Sequence, residues 1–199
     1  MVRGGSTRWA LGGLLGPAAF LGAWITGAFV TDVDYSPIDD PISRLAAVDA
    51  PTRPLMTAGF IGFGLGVSAF AVALRRRVPG PAWIAASTSA VATVLVAATP
   101  LDRSDTVDRL HGLFAGAGYI GLALTPLLAA PHLVRAGRSG LGLAGFGAGA
   151  VSAGALVLSL AGPPTGLFQR LGLTAGDVWI MSAAASMLIG RRWPSDASS

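Results

Sequence analysis

Charge is missing from one stretch of this chain after another, and each stretch is about as long as a membrane is thick. No residue between Arg8 and Asp32 carries a charge, and the same holds between Arg53 and Arg75, Arg77 and Asp102, Arg109 and Arg135, and Arg138 and Arg170. A helix rising 1.5 Å per residue needs about 20 apolar residues to cross a hydrocarbon core of about 30 Å. Inside the bilayer the backbone must satisfy its own hydrogen bonds, so helices are the expected solution. The pattern predicts six spans, at residues 9–30, 55–74, 81–98, 113–134, 141–162 and 176–190. The expected fold is all-α: one polytopic transmembrane domain over residues 1–199. Composition agrees, since 12% of residues are charged against about 25% in soluble domains. Arg3 and Arg8 ahead of an apolar run also resemble a signal peptide. That run is about twenty residues long, which favours a first spanning helix and leaves a signal peptide as the alternative.

The connections alternate in charge. Arg3, Arg8, Arg75, Arg76, Arg77, Arg135, Arg138, Arg191 and Arg192 fall on one side, with Asp196. The other side holds Arg44, Arg53, Arg103, Arg109 and Arg170 with the remaining nine Asp. Positive-inside bias then puts both termini in the cytoplasm, in a multi-pass protein of the plasma membrane. The net charge of +4 follows from these flanking arginines, which form no single patch for nucleic acid. The long connections, 31–54, 99–112 and 163–175, all face outward, and long loops are disproportionately functional.

In "DYSPIDDPISRL" (34–45), Asp40-Pro41 reads as an N-cap followed by proline at the first helical position. Ile42, Leu45 and Ala46 then give a short interfacial helix an apolar face. On it Asp39 and Ser43 share a face, as do Asp40 and Arg44, at i,i+4. Asp34 has no such local explanation. In "TPLDRSDTVDRLHGLF" (99–114), Ser104 or Asp105 can cap the next helix, Asp105 and Arg109 lie four apart, and Asp108 and His111 lie three apart on one face. A carboxylate beside an imidazole orients the ring. In the third connection, Thr174-x-x-Asp177 has the form of a capping box, and Arg170 stands among Leu167, Phe168 and Leu171, where an arginine needs an acid or phosphate partner.

Several chemistries are weakened. The chain has no Cys, which removes disulfides and thiol catalysis. No phosphate loop, G-x-S-x-G or H-E-x-x-H occurs. The acidic stretch lacks the glycine and terminal glutamate of a calcium loop, and one outward histidine does not make a histidine-dominated zinc site. Asp ligands with that one histidine stay open as an alternative; no metal ligand is assigned, and no cofactor is identified. No charge lies well inside any expected span, which argues against an ion pump with a midplane relay and leaves a transporter little to grip. Small residues at Ala58, Gly62 and Gly66, and at Gly145, Gly149 and Ala153, suit close helix packing within the bundle, a dimerisation face being the alternative.

"YSPIDDPISRLAAVDAPTRPLMTAGFIGFGLG", "TPLDRSDTVDRLHGLFAGAGY" and "GLFQRLGLTAGDVWIM" resemble the three recurring blocks of the DUF998 family. The resemblance covers nearly the whole chain and rests most on Tyr35-Ser36, the Asp39/Ser43 pair, the proline-bounded second helix, His111 and Gln169-Arg170. It implies a six-helix membrane fold and supplies no activity.

The residues themselves suggest an outward pocket made of Asp34, Asp39, Ser43, Asp102, Asp108, His111 and Arg170. Its expected partners are membrane lipids or a small amphiphile, with the tail between helices and the head among the acids and Arg170. As an enzyme it would use acid/base chemistry on a lipid or isoprenoid. A protonated Asp39, Asp108 or Asp177 would start a terpene-type cyclisation, and Trp179, Phe114 or Tyr119 would stabilise the cation. Tyr35 joins Arg170 and Asp177 among the substrate-contacting candidates. The alternatives are a non-catalytic lipid-binding or accessory subunit, and a metal-dependent membrane hydrolase resembling alkaline ceramidases, which need more histidines.

Overall fold

A computed structural model describes residues 8–31, 34–189 and 193. Arg3, Asp32, Arg191, Arg192 and Asp196, which entered the charge pattern, lie outside the described residues. Among the described residues six α-helices follow one another: α1 (Gly12–Val30), α2 (Arg53–Arg77), α3 (Ala82–Ala98), α4 (Asp105–Arg135), α5 (Ser139–Ser159) and α6 (Thr165–Leu188). Among the described residues there is no strand. Five helices are long and apolar enough to cross a membrane, α1 being continuous with the turn from Arg8; α3, at 17 residues, is shorter.

Each helix packs on its neighbours in sequence, α6 returns to α1, and α4 and α6 also meet across the ring. The inside is built for close approach. A Cβ on Gly66 of α2 would lie 2.7 Å from the backbone nitrogen of Gly16 in α1, and one on Gly121 of α4 2.7 Å from the Ala85 carbonyl of α3. Gly62 and Gly66 face α1, while Gly145 and Gly149 face α6 and α4. These four glycines therefore serve packing within the bundle, whereas Ala58 of the same stripe is exposed. Large apolar side chains point the other way: Phe29 is 86% exposed and Leu65 67%. Such an outward apolar surface suits lipid, where no helix gains by hiding it. Pro17 in α1 and Pro126 and Pro131 in α4 sit inside helices, as spanning helices tolerate.

Residues 34–52 close one end of the ring. Within this roof, Ile42–Ala46 forms a 3-10 helix whose Ile42, Leu45 and Ala46 are buried. A short 3-10 helix thus lies where an interfacial helix was expected, packed onto α1, α2 and α6. Its cap is corrected. Pro41, not Asp40, is the N-cap residue, and no side chain caps it. Two cross-links hold the roof down, Leu167 N–H donating to the Ile38 carbonyl at 2.8 Å and Val48 N–H to the Leu101 carbonyl at 3.0 Å, and within it the Thr52 hydroxyl donates to the Leu45 carbonyl at 2.8 Å.

The largest correction concerns the last span. α6 begins at Thr165, so most of the expected third connection, 163–175, is the first half of a helix. Thr174 and Asp177 are mid-helix residues, not a capping box. Asp177 lies halfway along α6 and is fully buried.

Candidate functional site

The roof's acids bind the roof. The Ser36 hydroxyl donates to Asp39 Oδ2 at 2.8 Å and accepts from the Asp39 N–H at 3.2 Å, while the Ser36 N–H donates to Asp40 Oδ2 at 2.8 Å. These are side-chain turns of the kind Ser and Asp favour. Asp34 and Asp39 are exposed and face no site. Asp39 turns to Ser36 instead of Ser43. Arg44 pairs with Asp102 at 2.6 Å, not with Asp40, and both side chains are about half exposed, 46% and 47%.

Arg170 is the roof's clamp. On α6, one turn beyond Gly166, its Nη1 donates to the carbonyls of Pro37 (2.6 Å) and Asp40 (3.0 Å), and its Nη2 donates to the Tyr35 hydroxyl. The guanidinium also lies 5.4 Å from the Trp24 ring centroid and 5.6 Å from that of Tyr35. Its partners are thus carbonyls and aromatic rings, where an acid or phosphate was expected. Gly166 makes the fit possible, because a Cβ there would press on the Asp40 carbonyl, on Arg170 Nη1 (2.7 Å) and on the Pro37 carbonyl (2.8 Å). Burial pushes the Tyr35 hydroxyl above its ordinary titration range, with Arg170 opposing. Next to Arg170, Gln169 Oε1 accepts from the Ile42 N–H at 2.7 Å.

The connection from α3 to α4 positions the one imidazole at this end. Ser104 caps α4, its hydroxyl accepting from the Val107 N–H at 3.4 Å. Asp108 accepts from the Asp102 N–H at 3.0 Å. That bond holds a turn in which Asp102 adopts φ 65°, a conformation aspartate tolerates. Asp108 therefore holds backbone, and the expected Asp108–His111 hydrogen bond is not formed. His111 Nδ1 instead lies 2.6 Å from the Thr99 carbonyl. Thr99 is the C-cap of α3, where carbonyls lack intrahelical partners. A carbonyl only accepts, so Nδ1 carries the hydrogen. Nε2 of a neutral ring is then a lone-pair acceptor. His111 is 4% exposed, and its Nε2 is buried with no hydrogen-bond partner.

Beneath the roof lies a cavity of about 70 Å³ that His111 lines. Its walls are mainly apolar, the aromatic part coming from Phe20, Phe60, Phe63, Phe114 and Tyr119, with polar positions at Ser43, Ser89, Thr93 and Gln169. Phe20 stacks on Phe60 at 5.8 Å and meets Phe63 edge-on at 5.6 Å, so this wall is packed and preformed. The Tyr119 hydroxyl donates to the Gln169 carbonyl at 2.7 Å and to the Phe168 carbonyl at 3.3 Å, tying α4 to the head of α6.

Of the residues picked from sequence, Ser43, His111, Phe114 and Tyr119 thus meet at one cavity. Arg170 and Tyr35 form the clamp beside it, while Asp34, Asp39, Asp102 and Asp108 do not reach it. Trp179 packs elsewhere, its indole donating to the Leu141 carbonyl of α5 at 3.1 Å. Sequence reasoning did not find Phe20, Phe60, Phe63, Ser89 or Thr93. Each sits in an apolar run where nothing distinguishes a cavity wall from a lipid face. Among the described residues no three His, Asp, Glu or Cys cluster as metal ligands do.

Residues 14–186 match the family model described as "Protein of unknown function (DUF998)". No curated protein and no solved structure matches the chain.

Proposed function

The chain belongs to the DUF998 family, and from that premise we propose that it is a multi-pass plasma-membrane protein that binds the end of a small amphiphile beneath its roof. The arginine bias supports cytoplasmic termini, which puts the roof and its cavity outside. The observation that carries the binding reading is His111 Nε2, a buried acceptor without a partner in an aromatic wall. Buried polar groups are normally paired, and an unpaired one forfeits about 1–3 kcal/mol. A ligand hydroxyl donating to Nε2 would recover that loss, and Ser43 and Gln169 line the same cavity. The ligand class is therefore an apolar chain ending in a hydrogen-bond donor, such as an isoprenol or a fatty alcohol.

Size argues for binding over turnover. A cavity of about 70 Å³ is well below the roughly 300–1,000 Å³ of pockets that enclose whole ligands. It suits a chain terminus and is too small for a folded isoprenoid undergoing cyclisation. The acids offered for that chemistry, Asp39 and Asp108, hold loop hydrogen bonds instead.

The test is photolabelling in lipid nanodiscs with a long-chain alcohol carrying a diazirine near its hydroxyl. Label should map to cavity-wall peptides of α2 and α4 and vanish in Ala115→Trp, which fills the cavity. Leu113→Trp on the outer face should leave it unchanged. Labelling that is spread over outward faces and indifferent to both substitutions refutes the reading.

A further inference from the structure

The end of the bundle opposite the roof is basic. Arg8, Arg75, Arg76, Arg77, Arg135 and Arg138 gather there, and among the described residues no acid does. Trp9 and Trp83 stand at the same end, by the starts of α1 and α3, with the Arg75 guanidinium 4.7 Å from the Trp83 ring centroid. Arginines and tryptophans together mark the depth of the lipid headgroups.

At this depth α5 and α6 part to leave an open cleft of about 370 Å³. Arg138, Leu141 and Ala144 wall it from the start of α5, and Ala185, Ser186 and Ile189 from the end of α6. A Cβ on Gly140, which also lines the cleft, would meet nothing within 4 Å, so the space beside Arg138 is clear. The volume lies in the range of roughly 300–1,000 Å³ that holds small ligands, unlike that of the cavity beneath the roof. Arg138 is posed in this wall. Its Nη2 donates to the Ser186 hydroxyl, and its guanidinium lies 4.2 Å from the Trp193 ring centroid. A guanidinium carries five N–H groups in a planar fork that matches phosphate oxygens. Further into the bundle the walls are apolar, with Leu141 and Ala144 on α5 and Ala185 on α6.

A cleft that faces the bilayer is filled by lipid, and its walls decide which lipid. We propose that this one is a binding site for an anionic phospholipid, with the phosphate on Arg138 and one acyl chain along Leu141, Ala144 and Ala185. Basic pockets between spanning helices take such headgroups. The arginine bias that supports cytoplasmic termini puts the cleft in the inner leaflet. It shares no residue with the cavity beneath the roof, so the two sites stand or fall separately.

Native mass spectrometry of the full chain released from detergent tests it. Added phosphatidylglycerol should give a discrete single-lipid adduct, and phosphatidylcholine with the same acyl chains far less. Arg138→Gln should weaken phosphatidylglycerol binding about tenfold. Ala144→Phe, which fills the cleft and keeps every charge, should do the same. Arg76→Gln, at an exposed arginine of the same end that does not line the cleft, should weaken binding less. Equal adducts from the two lipids, equal losses in Arg138→Gln and Arg76→Gln, or an undiminished adduct in Ala144→Phe overturns the site. Displacement of the lipid by inorganic phosphate overturns the lipid as its ligand. Ala144 is exposed, so its variant decides the matter if Arg138→Gln fails to fold.

Discussion

Removing the Arg170 guanidinium should unlatch the roof. Three hydrogen bonds end on it, two from Nη1 to the Pro37 and Asp40 carbonyls and one from Nη2 to the Tyr35 hydroxyl, and Trp24 lies against its face. Hydrogen bonds to charged groups contribute about 1.5–3 kcal/mol each, and truncating one partner of a buried charged network costs about 3–5 kcal/mol. Arg170→Ala should therefore lose about 3–5 kcal/mol. Arg170→Lys keeps the charge without the planar fork and should lose roughly half as much. For a chain of this size each kcal/mol shifts Tm by about 2–4 °C, so Arg170→Ala should melt about 6–20 °C lower. Intrinsic tryptophan fluorescence during a thermal ramp in one detergent reads this directly, since Trp24 lies under the guanidinium. Arg44→Gln is the control, because its half-exposed pair with Asp102 is worth under about 1 kcal/mol. A shift in Arg170→Ala no larger than that in Arg44→Gln refutes the clamp.

Three further outcomes follow from the same geometry. Gly166→Ala should cost about 1–3 kcal/mol by overpacking the roof, read in the same thermal assay. Asp39→Asn should cost under about 1 kcal/mol and leave photolabelling intact, because Asp39 is exposed and bonded to Ser36. The raised titration of Tyr35 means that the unfolded chain loses this proton first as pH rises. Its contribution is full below the ordinary tyrosine value of 10.0 and is lost above it. Wild-type stability should then fall relative to Tyr35→Phe only in alkaline melts.

The helices were legible because long uncharged runs leave the backbone no other solution in lipid. The start of α6 was not. Gly162, Pro163 and Pro164 mark a break, and Gln169 and Arg170 read as loop residues when their partners are unknown. Only the folded roof, which supplies the Ile42 N–H and the carbonyls of Pro37 and Asp40, makes those polar side chains compatible with a helix. Misplacing that boundary moved Asp177 from the middle of a helix to a surface cap. The spacing of Asp108 and His111 likewise put both on one face of α4 but left their rotamers open. The unpaired Thr99 carbonyl and the Asp102 N–H, both outside that helix, decided where each side chain went.

The chain has two histidines, so nitrogen-15 NMR of histidine-labelled protein isolates His111 once His132→Gln assigns the other. The binding reading predicts an Nδ1–H tautomer with a bare Nε2, and a change in the Nε2 resonance alone when a long-chain alcohol is added. An Nε2–H tautomer, or an Nε2 resonance indifferent to the alcohol, contradicts it.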